Sequence, residues 1–333
     1  MRSRRALTIA LALLAAGCGG SPHRPAPAPR TSTTAAGTAS TAAGTGSTAT
    51  GSAAPLPRRP VKLIAILPAA HRAGRFGWRE AAAVRGAAAI WITRVAAFRE
   101  PAYTVTLLRL NQRLATLALH AGSKQPGGSG WRYGPTVGAG ERHRLLAAFN
   151  SAFEESYGAG GFAQGGRVGW PLRRGRASVV VYRDGAADIG SWRQGVPARG
   201  RPVAAVRQNL QLLIDHGRIA GNVDTCIRPC WGDPLHEQPV VARSGLGVTA
   251  GGELLWAAGP ELSVRALAQA LASHGAVRAM ELDINPAWVA GYLYAHRRRP
   301  PRVSPVALMP GQADVDAAFL GAYYRDFFTV LAR

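Results

Sequence analysis

The 333-residue chain has only two lysines, Lys62 and Lys124, among its 40 basic residues, and only three cysteines. So few cysteines exclude a disulfide-dense scaffold and a four-cysteine zinc module. No acidic residue occurs before Glu80, no aromatic one before Phe76, and all eight tryptophans lie from Trp78 onward. A stretch that lacks both cannot bury enough apolar area to offset its chain entropy, so the folded part lies downstream. The apolar run at residues 6–16 is far shorter than the roughly 20 residues that span a bilayer. The glycines at 158, 160, 161, 165, 166 and 169 are not followed by the Lys-Ser/Thr of a phosphate-cradling P-loop.

What is present begins with Met1-Arg2-Ser3-Arg4-Arg5 ahead of that apolar run. A basic start and a short apolar core have the pattern of a secretory signal rather than of a membrane-spanning helix. The run closes as Leu14-Ala15-Ala16-Gly17-Cys18, which resembles a bacterial lipobox, with Ala15 where Leu is usual. The resemblance implies cleavage before Cys18, lipidation of Cys18, and anchoring on the outer face of the cytoplasmic membrane. Residues 21–60 are built from Ala, Gly, Ser, Thr, Pro and Arg with one His and one Leu, the composition of a flexible tether with stiffer Pro-rich ends. The expected organisation is a signal at 1–18, a tether at 19–60 and one folded domain at 61–333, as a monomer.

With Cys18 set aside, Cys226 and Cys230 remain, four positions apart. Outside the cytoplasm two nearby thiols oxidise, so they are expected to form a disulfide. Three intervening residues fit a redox motif poorly, and no further cysteine completes a zinc set. No cofactor is expected, and the sequence leaves a metal open. The net charge of +22 is spread along the chain and reflects an Arg- and Ala-rich composition. One cluster stands out, His296-Arg297-Arg298-Arg299-Pro300-Pro301-Arg302, which either lies against an anionic surface or is a solvated loop. Nucleic acid is not an expected partner for a chain outside the membrane.

The pattern along residues 61–333 is mixed. Strands are expected at 61–68, 102–110, 114–120, 177–182, 210–214, 244–249, 253–257 and 279–283. Turns are expected at Arg183-Asp184-Gly185, Asp215-His216-Gly217 and Ala250-Gly251-Gly252. Helices are expected at 141–148, from an N-cap at Ser263 to residue 272 with closure at Gly275, and at 315–325. Many hairpins with few helices give an α+β fold class, a single mixed domain rather than a doubly wound parallel sheet.

Three polar segments stand where elements end, which is where sites are built. They are Asn150-Ser151-Ala152-Phe153, Arg243-Ser244-Gly245-Leu246-Gly247 and Glu281-Leu282-Asp283-Ile284-Asn285-Pro286. In this order they resemble the Asn-Gly-Gly-Phe, Arg-Thr/Ser-x-x-Gly and Leu-Asp-Gly-Gly segments of the phosphodiester glycosidase family, and most closely its secreted bacterial members. Flanking likeness extends over residues 100–295 and includes Leu119-His120-Ala121-Gly122-Ser123 and Val206-Arg207-Gln208-Asn209-Leu210. The chain departs from the family at Ser151-Ala152 and at Ile284-Asn285-Pro286, where glycines would let backbone approach a ligand.

The resemblance implies cleavage between a sugar's anomeric carbon and a phosphate. Arg243 is then the phosphate ligand, because a guanidinium fork matches phosphate oxygens. Asp283, with Glu281 as second choice, acts on the oxocarbenium-like centre or on water. Asn150, Arg207, Asn209 and Asn285 wall the substrate, and His120 orients water. Each residue also has an ordinary structural reading: Arg243 as a carboxylate partner, Asp283 as a turn cap, Asn150 as a turn residue, His120 as a core histidine. The expected partner is a phosphorylated or acidic glycan, met either by a hydrolase or by a non-catalytic binding protein on the same scaffold.

Overall fold

The computed structural model describes residues 62–63, 77–234, 237–298, 301–312 and 314–333. The expected signal, Cys18, the tether and most of the 61–68 strand lie outside the described residues. The domain is α+β and dominated by antiparallel sheet. One sheet has nine strands in the order Lys62–Leu63, Arg79–Val84, Ala87–Ala97, Glu100–Leu110, Leu254–Leu262, Val241–Thr249, Ala276–Glu281, Leu212–Asp215 and Arg218–Ile219. A five-stranded sheet runs Pro301–Ala307, Gly291–Arg298, Leu145–Asn150, Phe327–Ala332, Ala115–His120. A second five-stranded sheet runs Ala187–Ser191, Ala177–Tyr182, Val203–Asn209, Phe162–Gln164, Arg167–Trp170. Two short α-helices, Ala139–Arg142 and Val264–Ser273, are present among the described residues.

The sheets share an apolar interior. Phe149, Trp256, Phe328, Leu246, Met280 and Leu293, drawn from two of them, belong to one buried cluster. The helix Val264–Ser273 starts where Ser263 Oγ accepts the Ala266 N–H at 3.1 Å. It buries Val264, Leu267 and Leu271 over the nine-stranded sheet. Gly275 follows at φ +98°, the left-handed region that ends a helix without Cβ strain. The turns at Arg183-Asp184-Gly185, Asp215-His216-Gly217 and Gly251-Gly252 join paired strands as expected. The glycines at 165 and 166 form the turn of the hairpin Phe162–Gln164 with Arg167–Trp170. Cys226 and Cys230 form the expected disulfide, with Cα atoms 5.8 Å apart, beside the buried Trp231.

Two helix expectations are corrected. Helix covers only Ala139–Arg142, and Leu145–Asn150 is a strand buried on both faces between Gly291–Arg298 and Phe327–Ala332. A short continuous apolar run carries no period by which to tell helix from buried strand. Residues 315–325 contain only the 3₁₀ turn Asp316–Phe319. The four-residue spacing of Val315, Phe319 and Tyr323 imitates a helix, but Ala318 and Phe319 take φ values of +52° and +63°. Beyond the single turn that Ala318 N–H closes on Val315 O, backbone hydrogen bonds of Phe319, Tyr323 and Tyr324 run to residues 123–137.

Candidate functional site

Asp283 stands just past the end of Ala276–Glu281, where two sheets are stitched together. Its N–H donates to Ser151 O at 3.0 Å, and its carbonyl accepts from both Ser244 N at 3.1 Å and Ser244 Oγ at 3.0 Å. Asn150 Nδ2 donates to Ser244 Oγ at 2.9 Å, while Asn150 Oδ1 accepts from Ala290 N at 3.2 Å. Asn209 Nδ2 donates to the carbonyls of Glu281 and Leu282. The three polar segments of the sequence therefore converge. Asn150, Ser244 and Asn209 spend their hydrogen bonds on fixing backbone behind Asp283.

The Asp283 carboxylate faces an open cleft. Arg325 Nη2 donates to Asp283 Oδ2 at 2.7 Å, and the Asn285 N–H donates to Oδ1 at 2.8 Å. Arg325 also donates to Ala152 O at 2.9 Å, lies 3.8 Å from Glu154 Oε1, and stacks over Trp288 at 5.3 Å. Trp288 in turn stacks on Tyr324, nearly parallel at 8°. Phe153, Tyr157 and Ile284 complete the apolar lining, with Asp233 among its acids. Gly232 beside the cleft, at φ +93°, has no room for a side chain, since a Cβ would fall 2.7 Å from the Phe153 ring.

The electrostatics of the pair are asymmetric. Burial pushes the Asp283 carboxyl upward, and Arg325 and the N–H groups of Asn285 and Ile284 oppose it only in part. For Arg325, burial works against the charge, but Asp283, Asp326 and Glu154 outweigh it and hold the group above its ordinary value. The result is a nearly buried ion pair beneath an open mouth.

Arg243 is not on this cleft. Its guanidinium is fully buried: Nη1 pairs with Glu281 Oε1 at 2.7 Å, and Nε and Nη2 donate to the carbonyls of Leu262 and Pro239. Glu281, two residues before Asp283, sends its carboxyl to this partner and not to the cleft. These positions correct the expected roles of Arg243 and Glu281: both are struts inside the fold. Arg207 is likewise consumed, paired with Asp326 at 2.6 Å and donating to the carbonyls of Gln208 and Phe153. His120 is buried between Gly134 O at 2.9 Å and Thr329 Oγ1 at 3.0 Å, stacked on Phe327, and lines no part of the cleft. Of the sequence-selected residues, Asp283 and Asn285 line it.

Arg325, Trp288, Glu154 and Tyr157 were not singled out by the sequence. One signal was available: Arg325-Asp326 abuts the apolar run 327–332, as Glu281-Leu282-Asp283 follows the run before it. Among the described residues no group of three or more His, Cys, Asp or Glu could hold a metal ion, and no helix is long and apolar enough to cross a membrane.

Burial raises the Glu281 carboxyl to about 7, with Arg243 opposing the rise and Asp283 adding to it. The folded value lies above the ordinary 4.5 of a free glutamate, so the folded state holds this proton more tightly. The stabilisation is complete below the unfolded value and is lost as pH climbs through the folded one. Stability relative to Glu281→Gln, read from urea melts, is expected to fall by about 2–3 kcal/mol between about pH 5 and about pH 8. A difference independent of pH would mean that Glu281 does not titrate in that window.

Neither a protein-family model nor a curated protein matches the chain. Among solved structures it is similar to the zebrafish N-acetylglucosamine-1-phosphodiester alpha-N-acetylglucosaminidase catalytic domain, auto-inhibited by its pro-peptide. That likeness is at 12% identity and a TM-score of 0.43, over 83% of this chain and 89% of that one. It is also similar to a hypothetical protein from Synechocystis at 13% identity and a TM-score of 0.41, over 78% of this chain and 64% of that one. Both scores lie below 0.5, so function is argued from the cleft itself.

Proposed function

We propose that the domain hydrolyses a glycosyl phosphodiester, cutting between the anomeric carbon and the phosphate and leaving a phosphomonoester. The observation that carries the reading is the Asp283–Arg325 pair, nearly buried yet forming the floor of an open, aromatic-walled cleft. In the free protein each charge neutralises the other. An arriving phosphate takes over the Arg325 fork and leaves Asp283 facing the sugar. Water then bonds to the anomeric carbon and gives its proton to Asp283. The carbon–oxygen bond breaks with its electron pair on the phosphate oxygen, where Arg325 offsets the charge. Trp288 and Tyr157 offer apolar faces to the sugar ring.

A polyanion-binding role finds less support, because the charged lining is three carboxylates, Glu154, Asp233 and Asp283, against one guanidinium. Such a lining suits one phosphate and an otherwise uncharged sugar. The test is incubation of the purified protein with a panel of α-linked sugar phosphodiesters. Release of a free reducing sugar with an equal amount of phosphomonoester is expected, and no release across the panel would overturn the proposal.

Export and lipidation rest on the N-terminal sequence. In a bacterial host, labelled palmitate is expected to enter the protein and to be absent from Cys18→Ala. Equal labelling of both would remove the anchor from this reading.

A further inference from the structure

The cleft meets a second guanidinium at its edge. Asp233, one of the lining carboxylates, accepts from Arg228 Nη2. Both side chains are exposed. Among the described residues this is the one side-chain hydrogen bond of Arg228, so most of its N–H donors are unspent.

The backbone is pinned on both sides of Arg228. The Cys226–Cys230 disulfide closes the short loop that carries it. Trp231 is buried, and its N–H donates to Ile227 O at 2.7 Å. Gly232 packs against the Phe153 ring and Ile284, both on the cleft. The guanidinium is thus kept beside Asp233 by the loop it stands on, and the carboxylate is its partner rather than its anchor.

A phosphodiester carries one negative charge, and a phosphomonoester carries about 1.5 to 2 near pH 7. Arg325 meets the first of these. The second develops on the oxygen that the anomeric carbon leaves. Glu154 and Asp283 both lie against Arg325, while Asp233 has Arg228. Resting on the proposed hydrolysis, we infer that Arg228 is a second phosphate ligand, which takes the charge developing on the leaving group and holds the phosphomonoester product. Each arginine waits on a carboxylate, Arg325 on Asp283 at the floor and Arg228 on Asp233 at the edge, and phosphate displaces both carboxylates. An arginine fixed in place before the ligand arrives loses little freedom on binding, so the disulfide loop adds affinity without touching the ligand.

The test reads binding and needs no turnover. Methyl phosphate, mostly a dianion at about pH 7.5, and dimethyl phosphate, a monoanion, are titrated calorimetrically into the full chain. Wild type is expected to bind methyl phosphate the more tightly. Arg228→Gln is expected to lose on the order of 10-fold for methyl phosphate and far less for dimethyl phosphate, which removes the preference. Asp233→Asn is expected to hold or gain affinity, because Arg228 no longer has to leave a carboxylate. Cys226→Ser/Cys230→Ser is expected to fall toward Arg228→Gln. Both single variants are at exposed positions and are expected to melt with wild type. An ion pair that merely braced the wall would move Arg228→Gln and Asp233→Asn in the same direction, and that result would overturn the proposal. So would wild-type binding of methyl phosphate by Arg228→Gln, or binding of neither probe by wild type. The diester panel decides the hydrolase separately: no release there, with Arg228-dependent binding intact, removes the hydrolase and keeps the phosphate ligand.

Discussion

Asp283→Asn is expected to lower turnover of a cleaved glycosyl phosphodiester by on the order of 10³-fold, the usual worth of a positioned acid–base group. The amide keeps the volume of the carboxyl and can still accept from the Asn285 N–H, so the floor keeps its shape. What it loses is the charge that stabilises a developing oxocarbenium ion and the capacity to take water's proton. Substrate affinity is expected to hold or improve, because Arg325 no longer has to leave a carboxylate before it meets phosphate. Arg325→Lys retains the charge and loses the fork, and is expected to raise KM more than it lowers kcat. Because burial raises the Asp283 carboxyl, activity is expected to rise with pH along a limb displaced above the ordinary carboxylate range. Measurement of kcat and KM across pH for the three proteins checks this, and full activity in Asp283→Asn would dismiss the mechanism.

Arg207→Met is expected to lower stability by about 3–5 kcal/mol, or the melting temperature by roughly 10 °C, although Arg207 does not itself line the cleft and meets it through the carbonyl of Phe153. Both side chains of the Arg207–Asp326 pair are fully buried. Removing the guanidinium leaves Asp326 as an uncompensated charge and frees the carbonyls of Gln208 and Phe153. The double variant Arg207→Met/Asp326→Leu is expected to recover most of the loss, since no buried charge is then left without its partner. Thermal melts of the three proteins decide it. A single variant that melts with wild type would mean that Asp326 finds another partner, with Arg325 next in the chain.

The α+β class, the central hairpins and the helix from Ser263 were legible because their signals are local: alternation, turn residues, an N-cap and a closing glycine. The two misread helices had no such signal. Leu145–Asn150 is apolar on both faces because it is a central strand, and only its neighbours make it one. Val315, Phe319 and Tyr323 repeat at helical spacing and share one apolar cluster, but the left-handed backbone at Ala318 and Phe319 ends any helix there.

The same division runs through the site. The sequence by itself determined which segments matter: Asn150, Ser244 and Asp283 do meet, since polar residues that end apolar strands are kept close to one another by the strands they end. Which arginine serves that acid was decided by tertiary structure alone. Burial in the interior committed Arg243 to Glu281 and Arg207 to Asp326, because a buried charge needs its counter-charge at contact distance. The guanidinium left at the cleft is Arg325, from a part of the chain whose local pattern suggested a helix end.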